Sequence, residues 1–179
     1  MFKKALIFIF FFFFFLLAPP TFYFLQSQPV NLNQDKVEYN LPYPGILPDH
    51  PLFFIKEVRD KVLEWTTRDS IKKAELYLLL SDKRVAMAMV LAKNGKDRYA
   101  VSAFSQSESY FIKIPPIVET SRKQGVTAQS DFILRLKLSN AKHKEAGETL
   151  LRDLPQGQNE IIQKALDLNQ EIKKKIEKL

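Results

Sequence analysis

Residues 69–96 read DSIKKAELYLLLSDKRVAMAMVLAKNGK. The stretch holds a start, an unbroken helical phase and a stop. Asp69 is an N-cap residue type, because a short carboxylate can accept from the free N–H groups of a first turn. Ile71, Ala74, Leu78, Val85, Met89 and Ala92 recur at helical spacing, with Leu76, Tyr77, Leu80, Met87 and Leu91 beside them. No glycine or proline interrupts before Gly95, the residue type that best takes the left-handed C′ position. The spacing predicts a helix from Ser70 to Asn94 with an apolar face wide enough for at least two neighbours. A long helix covered on two sides implies a helical bundle.

The same period continues downstream. From about Asp97, Tyr99, Ala103, Tyr110, Ile114 and Val118 keep phase, with Ala100, Phe104 and Phe111 alongside. Pro115 and Pro116 must kink or break this helix near Ile114, since proline removes an N–H and disfavours helical geometry at the residue before it. Gly125 closes it. A fourth helix is expected from Thr127 to Leu154. Its Phe132–Leu138 stretch alternates from Leu134 onward, which also suits a short strand, but the polar continuation carries no turn signal except Gly147. A last helix from Gln156 to Leu179 places Ile162, Ala165, Ile172, Ile176 and Leu179 near heptad spacing, with Asn169 on the same seam.

Upstream, Leu52, Ile55, Val58, Val62 and Trp65 predict an amphipathic helix from Leu52 to Thr66, with Glu57 and Lys61 paired on its outer face. Before it, LPYPGILPDHP (41–51) carries four prolines and cannot be helical. It reads as an extended strap laid on the helices. Tyr43, Ile46 and Leu47 are its candidate apolar anchors, and Asp49 is a candidate cap for the helix that follows. Residues 26–40 are polar and aperiodic and read as a linker.

Lys3 and Lys4 precede a run from Ala5 to Ala18 with no polar residue and seven phenylalanines. A basic stretch followed by an apolar one is the layout of an export signal or signal anchor. Ala5, Phe8, Phe15 and Ala18 mark this membrane segment. Fourteen residues is the length of a signal-peptide core, and counting on to Leu25 gives a length that could span. Pro19 and Pro20 favour a helix ending near Ala18. Cleavage and retention both remain open. The expected layout is a signal peptide or anchor (1–25), a linker (26–40) and a helical domain (41–179). Localisation is then outside the cytoplasmic membrane, either anchored or secreted.

The whole chain carries a formal net charge of +7, and residues 35–179 are still mildly basic. That balance suits weak attraction to anionic lipid or cell-wall polymer, but the basic residues are spread rather than clustered and read as solvated helix faces; no nucleic-acid partner is expected. Cysteine is absent, so thiol chemistry and disulfides are excluded.

No constellation of catalytic residues stands out. The two histidines are His50 and His143. Asp49-His50 could donate to a metal but reads as a capping Asp beside an exposed His. His143 lies on the stripe Phe132, Leu136, Ser139, Ala146, Leu150 and reads as a semi-buried bundle histidine. Glu57, Asp60 and Glu64 interleave with Lys56, Arg59 and Lys61 and read as a salt-bridged surface. HExxH, GxSxG and glycine-rich phosphate loops are absent. No catalytic residue, metal ligand or cofactor is therefore assigned. The function expected is a non-enzymatic, membrane-associated module for envelope structure or interaction with a protein partner; the alternative is a ligand- or metal-binding bundle.

LPYPGILPDHPLFFIKEVRDKV (41–62), together with the 69–96 stretch, resembles a prokaryotic family known only as a domain of unknown function, found in exported bacterial and archaeal proteins. The resemblance implies an all-helical domain after an export signal and brings no activity or site residue. After Lys96 the chain departs from the family's run of charged helices by placing Pro115-Pro116 in the third. The fold expected is all-α: an antiparallel bundle of four to five helices, preceded by a proline-rich extended strap and an N-terminal apolar export or anchor helix.

Overall fold

The computed structural model describes residues 37–179. The expected membrane segment through Ala5, Phe8, Phe15 and Ala18, and the linker up to residue 36, lie outside the described residues. The described chain is all-helical: α1 (Phe53–Thr66), α2 (Ser70–Lys93), α3 (Asp97–Phe111), α4 (Ile114–Lys123), α5 (Ser130–Asp153), a 3-10 turn (Gln156–Gln158) and α6 (Asn159–Ile176). The alternating stretch 132–138 lies inside α5. Among the described residues, no helix is long and apolar enough to cross a membrane.

The helix ends follow local chemistry. Asp69 accepts from the Lys72 N–H at 2.8 Å and starts α2. Gly95, at φ +69°, ends it. There the Lys96 N–H donates to Leu91 and the Gly95 N–H to Ala92, satisfying carbonyls the helix leaves free. The expected third helix is two helices. α3 stops at Phe111 and α4 restarts at Ile114, which puts Pro115 and Pro116 in a first turn, where a missing N–H costs little. Asp49 does not cap α1. The chain makes a turn through 48–52, Leu52 donates to His50 Nδ1 at 3.1 Å, and the Asp49 carboxylate pairs with Lys96 instead.

Four helices form the bundle. α2 packs on α3 and α5, and α6 packs on α3 and α5, which closes a ring. α4 packs against α2 and α6, and α1 lies against α2 outside the ring. The core divides into two apolar clusters. One holds Val85, Met87 and Leu91 of α2, Phe104 of α3, Leu150 of α5 and Ile162 of α6. The other holds Ala74, Leu78, Phe111, Ile114, Phe132, Leu136, Ile172 and Ile176. Along α2 and α5 the second cluster comes first in sequence; along α3 and α6 it comes last. That alternation is what an antiparallel up-down-up-down bundle requires.

The expected orientation of α1 is reversed. Val58, Val62 and Trp65 are 58%, 50% and 83% exposed, and Leu52 and Ile55 are likewise exposed. The buried residues of α1 are Phe53, Lys56 and Asp60. The strap explains this. Its Pro44 carbonyl needs a donor, and the Lys56 ammonium supplies one at 2.7 Å. The Arg84 guanidinium of α2 sits 5.0 Å from the centre of the Phe53 ring. The inner face of α1 therefore adds only Phe53 to the apolar core and otherwise meets carbonyls and charge, and its aliphatic face is left outward.

Candidate functional site

Between the two apolar clusters lies one polar layer, contributed by all four bundle helices. Asp82 comes from α2, Ser107 and Glu108 from α3, Ser139, Asn140 and His143 from α5, and Asn169 from α6; all are buried. Each sits on the inward stripe of its helix. His143, for example, lies between Ser139 and Ala146, and Glu108 lies between Phe104 and Phe111.

The His143 ring bridges two carboxylates. Its Nδ1 is 2.7 Å from Glu108 Oε1, and its Nε2 is 3.0 Å from Asp82 Oδ1. With an acceptor at each nitrogen, the ring is held as a doubly donating imidazolium. Burial alone would lower its pKa. The Glu108 charge, and the hydrogen bonds to Asp82 and Glu108, outweigh burial and raise it to about 9. Phe111 meets the ring edge-on at 4.9 Å between centres.

The neighbouring side chains bond to these carboxylates and to one another. Ser139 donates to Asp82 Oδ1 at 2.6 Å, and Tyr39 of the strap donates to Asp82 Oδ2 at 2.5 Å. Burial first, and then the Asp82 charge, push the Tyr39 hydroxyl well above its ordinary range. Asn169 donates to Glu108 Oε2 at 3.2 Å and to the Asn140 carbonyl at 3.2 Å. Asn140 returns a bond to the Asn169 carbonyl at 3.1 Å, which pins α5 to α6. The layer holds charge in a fixed arrangement and leaves no ring nitrogen free. Among the described residues, no group of three or more His, Cys, Asp or Glu side chains is arranged to hold a metal ion.

The strap candidates separate. Tyr43 and Ile46 are exposed, whereas Leu47 is half-buried against the first apolar cluster. The strap's deep contacts are Leu41, Pro44 and Tyr39. Tyr39 and Leu41 alternate with exposed Glu38 and Asn40, an extended pattern that sequence reasoning passed over in assigning 26–40 to a linker. Lys56 Nζ lies 2.7 Å from the Pro44 carbonyl and 3.5 Å from that of Ile46, and burial pulls its pKa down to about 7. His143, expected to be semi-buried, is fully enclosed. Asp60, expected on a solvated surface, is buried, and the Arg59 guanidinium reaches it at 2.6 Å. Asp82 and Glu108 were not singled out in the sequence. Their signal was phase: each is a carboxylate four residues after a core residue, Leu78 and Phe104 respectively.

The second feature is the outer face of α1. Phe54, Ile55, Val58, Val62 and Trp65 are all exposed. At about 100° per residue they fall within an arc of roughly 100°, so they form one stripe.

No curated protein and no solved structure matches the chain. A family model matches residues 45–179, from the strap through the last helix. The chain therefore belongs to the family described as domain of unknown function DUF5667.

Proposed function

We propose that the chain is an exported, membrane-associated helical domain that acts without catalysis, as a structural or protein-interaction module of the cell envelope. One observation carries the reading: the ionisable core is enclosed, while an apolar helix face stands open. His143 and Glu108 are fully buried, so this pair is out of reach of a substrate. Phe54, Val58, Val62 and Trp65, by contrast, present the kind of contiguous apolar surface that marks an interaction site. The basic start and apolar run of residues 3–18 support placement across or outside the membrane.

Alkaline phosphatase fused after Leu179 tests the location. Activity in intact cells is expected, because that enzyme folds outside the cytoplasm. Activity from a cytoplasmic reporter alone would reject it.

A further inference from the structure

Among the described residues no element covers the outward stripe of α1, and exposed Lys61 and Arg68 lie beside it. Lys61 flanks it on one side, with Arg68 just beyond its C-terminal end, while Arg59 on the other side is turned onto Asp60 at 2.6 Å. From Phe54 to Trp65 the stripe runs about 16 Å at 1.5 Å per residue. A narrow apolar stripe edged by Lys and Arg, with a tryptophan toward one end, is the chemistry of a helix lying in the plane of a bilayer interface.

We infer that α1 rests on an anionic lipid surface, its stripe inserted among the acyl chains and Lys61 and Arg68 among the headgroups. The inference rests on the membrane association proposed above, and it names the surface that meets the membrane. Two further observations select lipid. The apolar run ending at Ala18 is separated from Val37 by 18 residues. Fully extended, that length reaches at most about 65 Å, so a bilayer holding the run keeps the start of the domain within that reach of a lipid surface. A second copy of this chain docking stripe to stripe would instead bring the basic residues beside the two stripes together, where like charges repel.

Trp65 is the only tryptophan, so its fluorescence reports this face directly. The full chain, reconstituted into phosphatidylethanolamine–phosphatidylglycerol vesicles, is expected to show blue-shifted emission. Bromine on the acyl chains is expected to quench most of it, and acrylamide to reach little of it. Val58→Glu is expected to reverse all three while leaving the circular dichroism and melting temperature unchanged, since Val58 makes no core contact. Lys61→Glu is expected to weaken the effect, as is replacing phosphatidylglycerol with phosphatidylcholine. Emission that stays red, open to acrylamide and unaffected by brominated lipid overturns the inference. So does protection from acrylamide that follows protein density without bromine quenching, which would assign the face to a second copy. The phosphatase fusion reads export independently, so either result can fail without the other.

Discussion

Phe104 of α3 lies against the backbone of Gly147 on α5. A Cβ built at position 147 would stand 2.4 Å from the Phe104 ring and 2.6 Å from Leu166 of α6. This glycine is helical and has ordinary backbone angles. Its role is close approach, letting three helices meet at one point of the first apolar cluster.

Gly147→Ala is therefore expected to destabilise the fold, although alanine is the better helix former. Forcing the Phe104 ring aside should cost about 1–3 kcal/mol, as for other overpacked cores. Urea denaturation of Gly147→Ala checks this; a gain in stability would show that α5 can shift to make room.

His143→Ala removes the cation between Asp82 and Glu108 and leaves two carboxylates buried without it. Losing one partner of a buried ionic group costs about 3–5 kcal/mol. The same denaturation experiment is expected to show a loss of that size. Asn169→Ala, which removes single hydrogen bonds to Glu108 and Asn140, should lose less, about 1–3 kcal/mol. Equal losses would mean that the layer is held by geometry and not by charge.

Two buried cations give opposite pH dependences. His143 titrates near 9 in the fold, above the ordinary 6.5 of histidine. The folded state then holds the extra proton between those values. Its contribution is complete below 6.5 and lost as pH rises through 9. Lys56 is depressed to about 7 from an ordinary 10.5. There the unfolded state holds the extra proton, so stability rises with pH across that window. The two contributions oppose each other between 7 and 9. The wild-type midpoint should change little over that range, whereas Lys56→Met should fall steadily from pH 6.5 to 9. A flat profile in Lys56→Met would remove the role assigned to the His143 charge.

The strap should respond at Leu41 and not at Tyr43. Leu41 is 2% exposed, and Leu41→Ala is expected to cost about 2–5 kcal/mol. Tyr43 is half exposed, and Tyr43→Ala should stay within about 0.5 kcal/mol. Limited proteolysis of residues 37–52 gives a second readout: cleavage should quicken in Leu41→Ala and in Lys56→Ala, which frees the Pro44 carbonyl.

The start and stop of α2 and the break between α3 and α4 were legible because they are set by neighbouring residues. Asp69, Gly95, Pro115 and Gly125 act through backbone groups within a few positions, and a sequence displays all of these. The seam of α5 was legible for the same reason: Phe132, Leu136, Ser139, His143, Ala146 and Leu150 all face inward. The orientation of α1 was not. A 3.6-residue period shows that a helix has two unlike faces, but which face the fold uses depends on what it meets. Here it meets strap carbonyls that come within reach of Lys56 only once the chain has folded. The partners of His143 were only half legible. Asp82 and Glu108 stand in phase with core residues, yet they lie 61 and 35 positions away from the histidine. Helical phase alone cannot say that two such carboxylates converge on one ring.

The strap also sets where a pull on this chain would be felt. Tension arriving from residues 1–36 enters the fold at Tyr39, whose hydroxyl is bonded to Asp82 in the polar layer. It then meets Leu41 in the core and Pro44, clipped by Lys56. The load thus falls on a short series of side-chain fastenings in an extended segment, ahead of any helix. Under stretch the strap should peel before the bundle opens. A chain pulled from its N-terminal side would lengthen by one released strap with its four bundle helices intact.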